Sequence, residues 1–366
     1  MVTFETICKL LACPMSDNLA IIMVGLPATG KSFTSRNLSR YLRWIGIETF
    51  TFSAAKYRQE MLQGQQIRAD FFDASNTQYL EQRTLVADAT LNDMIKWFQR
   101  ENQNLKVAIM DASNTIQKRR KIIKTCLESI NVNVIFIECV YNTEGLLNEH
   151  LQFLHLLSPD YEKLHSETAQ EDYKQRIKYY RQNYDPVDEC DESFIKLING
   201  GEQLIVQNVT GFIPSKVIFY LMNLNFGSKK IFLQIYDSNN VQSDVIQACL
   251  KLVTGCTPDK LVTWTAPDIS GFADVEFKTQ LCALNMANLE GLSQEEIAKI
   301  YPEEALKHQK YPYNHRYPRC ESYADLSRRL ETVMMELERV KENVLIIADS
   351  SVIRCIYSYF VETSNP

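Results

Sequence analysis

The sequence predicts an α/β protein: a mostly parallel sheet domain followed by a smaller second α/β domain. Three observations predict it. Short apolar runs alternate with amphipathic helical patterns through the first part of the chain, the pattern of a parallel sheet covered by helices on both faces. The octapeptide Gly25-Leu26-Pro27-Ala28-Thr29-Gly30-Lys31-Ser32 stands directly behind one such run, Leu19-Ala20-Ile21-Ile22-Met23-Val24. The turn-forming stretch Asn225-Phe226-Gly227-Ser228-Lys229-Lys230 then separates this pattern from a fresh one.

In chain order, the apolar runs place strands at 19–24, 47–52, 106–110, 132–138 and 203–207. The helical patterns between and after them fall at 32–44, 78–100, 115–129, 167–183 and 211–224. Asp185-Pro186 and Gly200-Gly201 make 184–202 a region of turns rather than a domain break. After the boundary a strand at Ile231 to Ile235 opens the second domain, with helices near 241–253 and 322–341, a strand at 343–348 and a helix from 350. In such sheets ligands collect at the carboxyl ends of the strands.

The chain has 366 residues, 45% hydrophobic and 23% charged, an ordinary globular balance that suits two domains. A net charge of -6 argues against a general nucleic-acid binder. The ten cysteines are scattered without C-x-x-C pairs, and Cys8 and Cys13 have no histidine beside them, which points to a reducing compartment rather than a metal site. No apolar stretch reaches transmembrane length, and Met1-Val2-Thr3-Phe4-Glu5-Thr6 lacks the basic start of a secretory signal. A cytoplasmic protein with no membrane partner is expected.

The octapeptide matches G-x-x-x-x-G-K-[ST], and it stands between a strand and a helix as its mechanism requires. Gly25 and Gly30 let backbone N–H groups face phosphate oxygens, Lys31 reaches the β- and γ-phosphates, and the Ser32 hydroxyl suits Mg²⁺. The helix starting near Ser32 points its positive end at the same anion. Binding of ATP with Mg²⁺ is therefore expected across Gly25 to Ser32. The third strand ends in Asp111, where a carboxylate beside a phosphate loop holds magnesium or handles a proton. As alternatives, Asp111 caps the next helix, although Asn114 and Thr115 are competent caps themselves.

Further segments give the reading its specificity. Gly25 to Ser32, Arg40-Tyr41-Leu42-Arg43-Trp44-Ile45-Gly46, Tyr57-Arg58 and Asp111-Ala112-Ser113-Asn114-Thr115 come in this order, followed by Ser158-Pro159-Asp160-Tyr161, Asn183-Tyr184-Asp185-Pro186 and Tyr220-Leu221-Met222-Asn223. Together they resemble the 6-phosphofructo-2-kinase/fructose-2,6-bisphosphatase family, from about residue 18 to 362. The resemblance implies a P-loop, nucleoside-kinase-like domain over 1–226 and a truncated phosphoglycerate-mutase-like domain over 229–366. It implies transfer of the γ-phosphoryl group of ATP to the 2-hydroxyl of fructose 6-phosphate, with Arg58, Arg83, Ser113, Arg119, Arg176 and Tyr180 forming the sugar-phosphate site. Arginines suit that task through planar, bidentate, charge-assisted bonds. Read singly, Arg83 and Arg176 are solvated helix positions, and Lys118-Arg119-Arg120-Lys121 is equally an exposed basic turn. The resemblance also implies a homodimer.

One departure falls in this half. Where the family carries a lysine that reaches the phosphates, this chain has His155. An imidazole is mostly neutral at pH 7. By analogy with a lost electrostatic donor, a catalytic His155 implies turnover lower by ~10²–10³ and improving as pH falls.

In the second half, Arg316-Tyr317-Pro318, Glu321-Ser322-Tyr323, Met335 to Arg339 and Glu342 to Leu345 carry the resemblance. The phosphatase reaction needs a nucleophilic histidine flanked by positive charge. The family's first strand there ends in Arg-His-Gly; this chain has Ile235, Tyr236 and Asp237. The family's acid aligns near Met286 and its second histidine with Asp349. His308 and His315 are the domain's only histidines and fall in the predicted loop around Tyr311-Pro312-Tyr313. Loss of bisphosphatase activity is expected. Two alternatives stay open for the chain: a pseudoenzyme that binds nucleotide or sugar phosphate and acts through a partner, and a P-loop kinase for another small phosphorylated substrate.

Overall fold

A computed structural model describes residues 18–62, 67–100, 105–142, 166–188, 193–236, 261–266 and 275–361. The chain divides into two compact units, Met1–Arg43 with Ile47–Met222, and Trp44–Gly46 with Asn223–Pro366. The expected helix near 241–253 lies outside the described residues. No helix among the described residues is long and apolar enough to cross a membrane.

Among the described residues the first unit is built on six strands: β1 (Leu19–Val24), β2 (Glu48–Ser53), β3 (Lys106–Asp111), β4 (Asn133–Val140), β5 (Phe194–Ile198) and β6 (Gln203–Gln207). They lie in the order β2-β3-β1-β4-β5-β6. Every pair is parallel except β5 with β6. All six residues of β1 are buried, as a central strand covered on both faces requires. Its helices are α1 (Lys31–Trp44), α2 (Ala54–Met61), α3 (Leu80–Phe98), α4 (Gln117–Glu128), α5 (Ser166–Gln182) and α6 (Phe212–Asn223). One core cluster joins Ile22, Met94, Trp97, Met110, Ile123 and Leu127 across the sheet and two of these helices.

Strand β5 corrects the reading of 184–202 as turns alone. Phe194 to Ile198 is too short an apolar run to stand out, and Gly200-Gly201 belongs to the hairpin that follows it. Asn199, Gly200 and Gly201 have φ of 50°, 68° and 103°, so three residues in left-handed backbone reverse the chain into β6. Helix α2 was likewise not legible as a separate helix.

The start of α4 needs a second correction. Neither Asn114 nor Thr115 caps it, and Asp111 does not either. Gln117 N donates to Asp185 Oδ2 at 2.9 Å, so the cap comes from a distant turn. Asn114 instead takes a positive φ of 43° and donates from Nδ2 to Met23 O at 2.9 Å. Lys118 to Lys121 is a helical turn, not an exposed basic loop, and Arg120 is wholly buried. Its guanidinium donates to the carbonyls of Asn114, Thr115, Asp185 and Pro186 at 3.2, 3.3, 2.9 and 3.1 Å. Nearby, buried Glu138 is neutralised by Lys196 Nζ at 3.1 Å and accepts from Tyr184 Oη and, at 3.0 Å, from Val187 N.

Among the described residues the second unit has four parallel strands, β7 (Ile231–Ile235), β8 (Leu261–Thr265), β9 (Val275–Phe277) and β10 (Asn343–Ala348), in the order β7-β10-β8-β9. Its helices are α7 (Gln294–Ile300), α8 (Pro302–Lys310), α9 (Tyr323–Arg339) and α10 (Ser350–Val361). A capping box between Ser322 and Asp325 starts α9. Leu326, Leu330, Val333, Met334 and Leu337 form its buried face. Lys229 closes the other end, donating from Nζ to the carbonyls of Leu337, Glu338 (2.9 Å) and Val340 (2.8 Å). Helix α8 places His308 on a helix rather than in a loop; Pro302 at its first turn and the acidic pair Glu303-Glu304 are its sequence signal.

Candidate functional site

The site in the first unit begins where β1 gives way to α1. Gly25 carries φ of 139° and Gly30 of 80°. A Cβ on Gly25 would stand 2.5 Å from Cys139 O and 3.0 Å from Thr29 Oγ1, so only glycine lets the loop lie against β4. Gly25 N donates to Ser113 O at 3.0 Å, which ties the loop to the segment after β3. Ala28 also has a positive φ, 64°, a strained position inside the loop. Thr29 Oγ1 donates to Leu26 O at 2.8 Å and Lys31 Nζ to the same oxygen at 2.5 Å. Pro27 is buried beside them.

Lys31, Ser32 and Asp111 come together at the strand ends. Ser32 Oγ donates to Asp111 Oδ1 at 3.0 Å. Burial brings the Lys31 ammonium down to about 8, with Arg176 acting in the same direction and Cys139 and Asp111 opposing it. Burial raises the Asp111 carboxyl, against the Ser32 hydrogen bond and the positive charges of Lys31, Arg36 and Lys56. Paired hard oxygens next to an ammonium at a helix start form a donor set suited to a magnesium-bound phosphate.

A second cluster holds three of the six candidate sugar-phosphate residues. Arg58 on α2 and Arg176 on α5 are buried, at 6% and 8% exposure. Their Cζ atoms stand 5.0 and 3.8 Å from the ring centroid of Phe72, and the Tyr180 ring lies 5.6 Å from it. The action of Arg176 on Lys31 links this cluster to the phosphate loop. Ser113 belongs to the loop side through its carbonyl.

Arg83 and Arg119 are engaged differently. Arg83 donates to Phe71 O at 2.8 Å, Asp73 O at 2.6 Å and Asn76 O at 3.2 Å, and thereby clamps a turn. Arg119 pairs with half-exposed Asp88 at 2.8 Å. His155 lies outside the described residues. Phe72 was missed by sequence reasoning; its only signal is the doublet Phe71-Phe72 in a short polar stretch.

In the second unit, Tyr236 N donates to Ala348 O at 2.8 Å, so the ends of β7 and β10 lie side by side. Asp349 is occupied as a cap: its Oδ1 accepts from Ser351 N at 2.8 Å and Ser351 Oγ at 2.6 Å. Asp237 lies outside the described residues. Met286 packs against the cluster of Leu289, Ile297, Tyr317 and Cys320. His315 Nε2 is 2.7 Å from Glu304 Oε2, and the His308 and His315 rings lie 5.5 Å apart beside Tyr317. Both histidines belong to this cluster of α8 and the loop after it.

A P-loop, kinase-like parallel sheet unit followed by a phosphatase-like α/β unit is the class that this fold defines. The comparisons specify it. A profile described as 6-phosphofructo-2-kinase matches residues 11–228, and one described as Histidine phosphatase superfamily (branch 1) matches residues 265–366. The 6-phosphofructo-2-kinase/fructose-2,6-bisphosphatase of Arabidopsis thaliana is 35% identical over 95% of this chain, which spans 50% of that relative's length. The fructose-2,6-bisphosphatase of Saccharomyces cerevisiae is 33% identical over 94% of the chain and is spanned over 81% of its length. For the 6-phosphofructo-2-kinase/fructose-2,6-bisphosphatase 3 of Rattus norvegicus the figures are 35%, 94% and 66%. The chain belongs to the 6-phosphofructo-2-kinase/fructose-2,6-bisphosphatase family.

Proposed function

We propose that the first unit transfers the γ-phosphoryl group of ATP to the 2-hydroxyl of fructose 6-phosphate, and that the second unit does not hydrolyse the product. The observation that carries the first part is the junction of Lys31, Ser32 and Asp111 with the Arg58–Arg176 pair. Amides of Gly25 to Ser32 and the Lys31 ammonium bind the triphosphate tail. Ser32 Oγ and the Asp111 carboxylate would hold Mg²⁺, which would supply charge neutralisation at the phosphate oxygens. Arg58 and Arg176 grip the phosphate of the acceptor, while the hydroxyls of Ser113 and Tyr180 meet sugar oxygens. Such transfer depends on alignment and charge, which is what these residues supply. Arg83 and Arg119 belong to the proposed acceptor site through the family resemblance, and His155 is its proposed conditional cation.

The second part rests on Tyr236 at the end of β7 and on Asp349 committed to capping α10. These residues supply neither the imidazole nucleophile nor the flanking positive charge that phosphoryl transfer to an enzyme histidine demands. We propose a cytoplasmic homodimer that binds no nucleic acid, consistent with edge strand β6, whose Ile205 and Val206 are each 40% exposed.

Incubation with Mg-ATP and fructose 6-phosphate should form fructose 2,6-bisphosphate, and Lys31→Met should abolish it. No product at high protein concentration, from neutral to mildly acidic pH, overturns the kinase. His155 in place of the family's lysine favours a second reading, a binder of nucleotide and sugar phosphate that acts through a partner. Binding of both ligands without product is its signature.

A further inference from the structure

The short turn Ala69–Phe72 in the first unit is fixed from several sides. Ala69 N donates to Asp172 Oδ1 on α5 at 3.1 Å. Arg83 on α3 holds the carbonyls of Phe71, Asp73 and Asn76. The Phe71 ring packs 5.1 Å from Phe72 and 5.3 Å from Tyr79, and Ile67, Phe71 and Phe72 form a buried cluster with Leu62, Tyr79 and Tyr180 against it. The result is an immobilised Phe72 ring, itself 7% exposed, at the meeting point of α2 and α5.

Two buried guanidinium groups approach that ring, Arg176 at 3.8 Å and Arg58 at 5.0 Å. Both positive groups thus share one aromatic neighbour. The negative face of an aromatic ring attracts both. A guanidinium lying over a ring also keeps its N–H groups directed outward in its own plane, the direction in which it meets phosphate oxygens.

We propose that Phe72 is a positioning residue: its ring holds Arg58 and Arg176 as a preset pair for the phosphate of the acceptor sugar. This inference rests on the acceptor site proposed above. Without the ring, each side chain loses one of the contacts that orient it (Arg176 keeps the Tyr173 ring, 5.4 Å away), and the rotamer freedom regained is freedom the ligand must then remove, so acceptor affinity falls. Arg83 contributes one step further out, by fixing the turn that carries the ring.

The test uses the full chain with Phe72→Met, Phe72→Tyr and pentafluorophenylalanine incorporated at position 72. The fluorinated ring keeps the shape and packing of phenylalanine but reverses the charge on its face, so it decides the matter even where the methionine variant fails to fold. Calorimetric binding of fructose 6-phosphate and of Mg-ATP, melting temperature, kcat and KM are the readouts. Methionine and the fluorinated ring should each weaken fructose 6-phosphate binding about 5- to 30-fold. The loss should appear in KM for the sugar phosphate, with kcat and ATP affinity within about threefold of wild type. Phe72→Tyr, which retains an electron-rich face, should restore the affinity. Sugar-phosphate affinity that survives fluorination within about twofold overturns the inference alone. So does an equal loss of both ligands together with a lowered melting temperature, which marks a packing role. A wild-type chain that fails to bind fructose 6-phosphate overturns the acceptor assignment itself, and this inference with it.

Discussion

Replacing Gly25 with alanine tests the contact between the phosphate loop and β4 directly. The added Cβ meets Cys139 O at 2.5 Å, and that oxygen belongs to a buried strand backbone with no freedom to yield. The φ of 139° adds strain for any L side chain, of order 1–3 kcal/mol. Overpacking against fixed atoms adds about 1–3 kcal/mol more. The sum, roughly 2–6 kcal/mol, is a large part of the stability of an ordinary domain. Where the loop moves instead of the domain unfolding, even ~2 kcal/mol weakens ATP binding about 30-fold. Gly46→Ala is the internal control, because Gly46 has φ of 90° but an added Cβ there would find nothing within 4 Å. It should carry the backbone strain alone, about 1–2 kcal/mol, and leave ATP affinity unchanged. Guanidinium denaturation and calorimetric Mg-ATP binding on both variants give the comparison. A Gly25→Ala protein that matches Gly46→Ala in both measurements would refute the reasoning.

The remaining predictions follow from single contacts. Because Lys31 titrates near 8 rather than at its usual 10.5, its burial penalty is complete below about pH 8 and is relieved as pH rises toward 10.5, so this group adds stability across that window. ATP affinity should move the opposite way, falling above about pH 8 with proton uptake approaching one per ATP, read by calorimetry in two buffers of different ionisation enthalpy. Ser32→Ala removes one oxygen from the pair with Asp111; kcat should drop ~10²-fold with weakened magnesium dependence, and an unchanged magnesium titration would exclude the pair as the metal site. Arg120→Met strips hydrogen bonds from four carbonyls in a fully buried position. It should cost about 2–4 kcal/mol in denaturant unfolding, and a loss under about 1 kcal/mol would contradict its structural role.

Legibility in the sequence followed the range of the interactions involved. β1 and the loop from Gly25 to Ser32 were readable because an unbroken apolar run, two glycines and a lysine act locally. Helix α9 was readable because its apolar spacing is long and its cap is written into Ser322 and Asp325. Phe194 to Ile198 was not, since five residues give too little periodicity to separate a buried strand from a loop. The cap of α4 by Asp185 and the burial of Arg120 depend on a partner turn brought close by folding, and no local pattern announces either. The arginines show the same limit: spacing alone cannot distinguish Arg176, lying over Phe72, from Arg83, bonded to a turn.

The most direct measurement follows the fate of one phosphoryl group. Wild-type protein is given Mg-ATP labelled on the γ-phosphate together with fructose 6-phosphate, then chased with unlabelled ATP. The account predicts that label accumulates at the 2-position of the sugar and stays there, with no labelled inorganic phosphate released from it and no labelled protein. Absence of label on the sugar would contradict the kinase; release through a phosphorylated protein would contradict the silent second unit.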